Sequence, residues 1–153
     1  MMNIFMLMNK LMTKILIEYP PIYGKVAKAF DLRGKKPLFA YDGVIYNPHA
    51  GIVDDFIVVH EEVHFAQQSK HPKGVEGWWN DYIENKHFRF EQELEAFRAQ
   101  YKALVAVVKD RNYLDRYVTM LADELSGPLY GNLIGKRGAA KIIKSTESVK
   151  MFW

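Results

Sequence analysis

The sequence predicts an α+β domain, mostly helical, with three strands gathered near the N-terminus. Three observations carry that expectation. Asp42-Gly43 sits between two short apolar runs, the signature of a tight hairpin. Phe90, Leu94, Phe97, Tyr101, Leu104 and Val108 recur at alternating spacings of four and three, a helical core stripe. A chain of 153 residues, 49% hydrophobic and 25% charged, can build one core but hardly two.

Each element follows from local chemistry. Residues 1–12 superficially resemble a signal peptide. However, the apolar core from Ile4 to Met8 is short, Asn3, Asn9 and Lys10 interrupt it, and no small-residue cleavage site follows. They are expected to be a loose extension, with initiation nearer Met12. Residues 13–19 read as a strand stopped by Pro20-Pro21. Residues 22–32 carry Ile22, Val26 and Phe30 at helical spacing. Residues 37–41 and 44–46 flank the Asp42-Gly43 turn, and Asn47-Pro48 ends the second arm.

A helix is expected next, capped by Asp54 or Asp55, with Phe56, Val59, Val63 and Ala66 as its apolar face, ended by His71-Pro72 and Gly74. Residues 75–86 read as a short helix or structured loop anchored in the core by Trp78 and Trp79. The long striped helix follows. Asn112 with Asp115 suggests the start of another helix, ended near Ser126-Gly127-Pro128, and residues 138–144 a last one. The expected organisation is a 1–12 extension, one domain over 13–145 and a tail over 146–153. No internal repeat or low-complexity segment is visible.

Charge and composition exclude several functions. There is no cysteine, so disulfides, Cys-based zinc fingers and iron–sulfur sites are out, and any metal site must use His and carboxylates. The net charge is +3. From Ser126 onward Lys136, Arg137, Lys141, Lys144 and Lys150 stand against Glu147 alone, leaving −1 for the other 125 residues. A basic face on the body is not implied, which argues against nucleic acid as a partner. No stretch approaches the ~18 apolar residues of a membrane span.

The chemistry concentrates in His60-Glu61-Glu62-Val63-His64, an H-E-x-x-H run inside a predicted helix. Spacing of four puts both imidazoles on one side, one turn apart, where they can share a Zn²⁺. At ~100° per residue Glu61 lies near that side, placed to touch a metal-bound water, and Glu62 points away. A third ligand is sought on the long helix. Glu93 falls about 60° from the centre of its apolar stripe, Glu91 about 100° and Glu95 about 140°, so Glu93 is turned most nearly inward. A carboxylate facing a core needs a partner, and a metal ion would be one. The competing partner is Arg89. His87 is a further candidate ligand, while His49 and His71 read as surface or turn residues.

His60-Glu61-x-x-His64 followed by Glu93-x-x-Ala96 resembles the zincin superfamily, of the gluzincin type with a glutamate ligand. A Glu-x-x-Ala ligand helix is similar to those of CAAX-type membrane proteases and of repressor-controlling peptidases of mobile elements. Gln67-Gln68, Trp78-Trp79, Tyr82, Phe88-Arg89-Phe90 and Glu93-Leu94-Glu95-Ala96 extend the resemblance, over roughly 39–101, to small uncharacterised phage-encoded metallopeptidases.

The resemblance implies a minimal zincin fold, with the H-E-x-x-H helix facing the glutamate-bearing helix. It implies zinc on His60, His64 and Glu93, Glu61 as general base, and a protein or peptide substrate. A virion or host-protein partner and residence in the host cytoplasm or the virion go with it. A second donor for the oxyanion would come from Tyr130, Tyr82 or His87, with Tyr130 preferred for its place in Gly127-Pro128-Leu129-Tyr130-Gly131.

Two departures stand out. Some of those branches carry Asp or Asn after the alanine, where this chain has Phe97. The thermolysin-like branch has its ligand directly before the alanine, which would select Glu95. The metzincin pattern fails, since Gln67 and Lys70 stand where Gly and His are required. A non-catalytic zincin-like module is the alternative function.

Overall fold

The computed structural model describes residues 13–147. The expected 1–12 extension, and all but two residues of the expected tail, lie outside the described residues. The described chain is α+β and mostly helical. Strand β1 (Lys14–Leu16) leads to helix α1 (Tyr23–Ala29) and the hairpin β2 (Phe39–Tyr41) and β3 (Val44–Tyr46). Helices α2 (Asp55–Lys70), α3 (Gly74–Glu84), α4 (Lys86–Val107) and α5 (Arg111–Leu125) follow, then a 3₁₀ turn at Pro128–Tyr130 and α6 (Lys136–Lys144).

The hairpin forms as its turn chemistry demands. Asp42 and Gly43 have φ of 48° and 78°, two consecutive left-handed residues, whose twist suits the flanking strands. The sheet order is β1-β3-β2, with β1 parallel and β2 antiparallel to β3. Strand β1 is shorter than the expected 13–19, and Ile15 and Ile17 are exposed. A two-sided core does not cover it, so its alternation has little to pair with.

Helix α2 docks on the hairpin through a side-chain amide. Gln68 Nε2 donates to Ala40 O at 2.7 Å, and Asp42 N donates to Gln68 Oε1 at 3.2 Å. Trp79 Nε1 donates to the same Ala40 carbonyl at 3.1 Å, so one backbone group ties α3 to the sheet as well. Trp78 and Trp79 are buried core anchors, as their sequence context suggests. Residues 74–84 are helix throughout rather than loop. The α4 stripe is the spine of the core, with Phe90, Leu94 and Phe97 in one buried cluster with Leu121, Leu125 and Ile143, and Leu104 buried further along.

One expectation fails. The anticipated apolar face of α2 does not enter the core: Phe56, Val59 and Val63 are only partly buried and Ala66 is exposed. The helix instead buries Val58, His60, Glu61, His64 and Gln68. Partners supplied by α4 and the hairpin make that polar face buriable, which periodicity alone does not register.

Candidate metal centre

Helix α2 begins where Asp54 caps it, its Oδ1 accepting from Phe56 N and Ile57 N at 2.9 Å each. Helix α4 begins at Asn85, whose Oδ1 accepts from His87 N and Phe88 N at 3.0 and 3.1 Å. The caps fix where each helix starts, and hence which residues face which across the α2–α4 contact. His60 and His64 leave α2 one turn apart with ring centroids 4.9 Å apart. Glu93 meets them from α4.

His60 Nε2 and His64 Nε2 lie 3.2 Å apart. Glu93 Oε2 is 3.1 Å from His60 Nε2, and Glu93 Oε1 is 3.3 Å from His64 Nε2. Donors held ~2.0–2.1 Å from a tetrahedral cation lie roughly 3.3 Å from one another, and each of these pairwise separations is of that size. Among the described residues it is the one group of three or more His and acidic side chains close enough to share an ion, and all three are buried.

Hydrogen bonds behind the rings decide which nitrogen faces the centre. Gln67 Nε2 donates to Gln92 O at 3.1 Å and to Glu95 Oε2 at 2.9 Å, two groups that only accept. Its Oε1 therefore faces His64, and His64 Nδ1 is the donor across their 2.8 Å contact. Gln100 serves His60 the same way, at 2.9 Å to Nδ1, while its Nε2 donates to Tyr117 OH at 2.7 Å. With both Nδ1 atoms used as donors, neutral imidazoles turn two Nε2 lone pairs and a carboxylate toward one point. Three acceptors facing each other require a cation between them.

In the metal-free protein a proton takes that place. Burial disfavours a charged His64, but the Glu93 carboxylate outweighs it and raises the pKa from an ordinary 6.5 to about 9. Burial likewise disfavours a charged Glu93. The His64 charge and hydrogen bonds from both imidazoles overcome it and hold the carboxyl well below the usual range.

Around this centre the remaining candidates sort clearly. Glu61 is buried on α2 and lines the cleft that reaches the centre. Burial pushes its pKa up and Glu93 adds to the rise, while the two imidazoles oppose it. Glu62 points away and accepts from Thr13 Oγ1 at 2.8 Å. Tyr82 OH donates to Glu93 Oε1 at 2.6 Å. Tyr130 is buried in the 3₁₀ turn and hydrogen-bonded to Tyr82, with Glu93 and Glu61 near enough to act on its hydroxyl. Burial first, then Glu93, raises both tyrosines well above their ordinary pKa. Glu95 is exposed and meets Gln67 rather than the triad. His87 is not among the converging groups, and His71 pairs with Asp81 at 2.8 Å.

Arg89 does not compete for Glu93 by direct contact. Its Nε donates to Leu129 O at 2.6 Å, and its Nη1 to Tyr82 O and Ile83 O at 2.6 and 3.2 Å. It stacks over the Phe30 ring at 4.8 Å. One guanidinium thus joins the end of α3, which carries Tyr82, to the turn that carries Tyr130. Sequence reading passed over the roles of Gln67 and Gln100. Both had a signal: Gln67 is three residues after its partner His64, and Gln100 is seven after Glu93, on the helix face that meets His60.

No protein-family model, no curated protein and no solved structure matches the chain.

Proposed function

We propose that the protein is a zinc-dependent metallopeptidase. The observation that carries this reading is the convergence of His60 Nε2, His64 Nε2 and the two Glu93 oxygens, one on each imidazole, at 3.1–3.3 Å, with its orienting glutamines and an adjoining cleft. Two imidazoles and one carboxylate, with no thiolate in the chain, suit zinc, and three protein ligands leave a position open. Bound there, the ion would lower the pKa of a water toward ~7 and polarise a substrate carbonyl.

The chain's own groups do the rest. Glu61 accepts the proton of the attacking water, and burial, which pushes its pKa up, favours its holding that proton. It then gives that proton to the departing amine. Gln100 and Gln67 hold the imidazoles with Nε2 inward. Tyr82 anchors Glu93, and Tyr130 beside it, on turning its one proton away from Tyr82, is the hydroxyl donor for the carbonyl oxygen as it gains charge. Partners are accordingly peptides or unfolded protein. Among the described residues no helix is long and apolar enough to cross a membrane.

The test has two parts. Protein purified without chelator should hold one zinc per chain, and Glu61→Gln should keep that zinc while losing hydrolysis of an unfolded test protein by at least ~100-fold. Absence of bound metal would end the proposal. Retained zinc with no cleavage by the wild type would favour a non-catalytic binding module.

A further inference from the structure

The cleft that opens onto the triad has a volume of about 950 Å³. Helix α5 forms one wall. Tyr113, Tyr117, Met120 and Glu124 line it, at spacings of four, three and four, a single stripe along that helix. The irregular chain at 35–38, ahead of β2, also lines the cleft, as does Ile52. Three of the exposed large apolar side chains of the described residues lie on this cleft: Ile52 (96% exposed), Tyr113 (44%) and Met120 (46%).

Glu124 is the acidic end of the stripe. Its neighbour Asp123 is taken by Lys136 Nζ at 3.0 Å. Glu124 is a solvent-exposed residue at the cleft; among the described residues its carboxylate has no hydrogen-bond or ion-pair partner, and it lies close enough to Glu93 and His60 to feel both. Desolvation on the cleft wall, and then Glu93, push its pKa up. His60 and Lys35 only partly offset this. Lys35 and Lys36, which also line the cleft, are solvent-exposed. An unpaired carboxylate on the cleft wall can receive a cationic nitrogen that enters the cleft.

We infer that Glu124 determines specificity, receiving a cationic nitrogen of the substrate next to the triad while Tyr113, Met120 and Ile52 take apolar side chains further along. The inference rests on the peptidase reading and names its substrate class: extended peptides with a positive charge near the scissile bond and apolar residues beyond it. The charge can come from a lysine or arginine side chain or from a free amino terminus. An ion-paired hydrogen bond of this kind is worth about tenfold or more in affinity.

The test uses zinc-loaded Glu61→Gln, which should bind substrate without cleaving it, and fluorescently labelled, acetylated and amidated peptides differing at one central residue. The lysine peptide should bind about tenfold more tightly than its norleucine counterpart, and the glutamate peptide most weakly. Adding Glu124→Gln should bring the three within about twofold, and Glu124→Lys should reverse the order. A norleucine peptide with a free amino terminus distinguishes the two sources of charge. Equal binding of all three peptides, or a lysine preference that survives Glu124→Gln, overturns the inference. Zinc content measured on the same samples reports separately on the peptidase reading.

Discussion

Removing the carboxylate at position 93 should cripple zinc binding, while removing the one at position 95 should barely change it. Glu93 meets both imidazoles at 3.1 and 3.3 Å, whereas Glu95 only supplies one of the two acceptors of Gln67. Zinc sites of four ligands are worth about 10–16 kcal/mol, so one ligand accounts for about 3 kcal/mol, or roughly 150-fold in affinity. At a zinc concentration a thousand times the wild-type Kd, linkage adds ~4 kcal/mol to wild-type stability, or about 8–16 °C in Tm. At the same concentration Glu93→Ala retains only ~1.2 kcal/mol, about 2–5 °C. Glu95→Ala leaves Gln67 bonded to Gln92 O and should lose less than about threefold. Competition against a chromophoric chelator, with thermal melts in parallel, reads both. Equal losses in the two variants, or a full zinc-induced rise in Tm in Glu93→Ala, would refute the assignment of the third ligand.

Gln100→Leu removes the acceptor of His60 Nδ1 and should weaken zinc binding by about 10–100-fold with the fold intact, measured by the same competition. Arg89→Met leaves the carbonyls of Leu129, Tyr82 and Ile83 without their donor, and should lower stability by about 3 kcal/mol in urea unfolding. In zinc-free protein, the raised His64 pKa means its contribution is fully present below pH 6.5. It is lost as pH rises through about 9, on the order of 3 kcal/mol in all. Zinc requires neutral His64, so zinc-loaded protein should show no such decline between pH 6.5 and 9 in Tm-against-pH profiles.

Much of this was legible in the sequence wherever a local rule applied. Asp42-Gly43 has one comfortable role between two strands, and the turn angles are those it requires. The α4 stripe is long enough for its phase to be read, so the angle favoured Glu93 over Glu95 as the inward carboxylate while leaving Glu95 open, and Glu93 is buried where Glu95 is exposed. Asp54 caps α2, but α5 is capped by Asp110, two residues before the expected start. Either Asp110 or Asn112 can accept from the backbone, and packing chooses between them. Arg89 was illegible because its partners are backbone carbonyls, which every residue has. Tyr117 was illegible because its link to His60 runs through Gln100, across two helices.

The misjudged face of α2 is the most informative failure. Hydrophobic patterning assumes that a helix turns apolar side chains inward because polar ones are costly to bury. Helix α2 turns His60, Glu61, His64 and Gln68 inward and leaves Phe56, Val59 and Val63 only partly covered. The cost is contained because partners are in place. Gln68 is bonded to Ala40 and Asp42, the imidazoles to Gln100 and Gln67, and the facing Glu93 to Tyr82. Glu61 is different: among the described residues its carboxylate has no hydrogen-bond partner, and it opens on the cleft. An inner face built only for stability would carry leucine or valine at these positions and need none of this support. The network accommodates every buried polar group of that face except the carboxylate of Glu61, the one we propose as the acceptor of a water proton, a role that needs the group free.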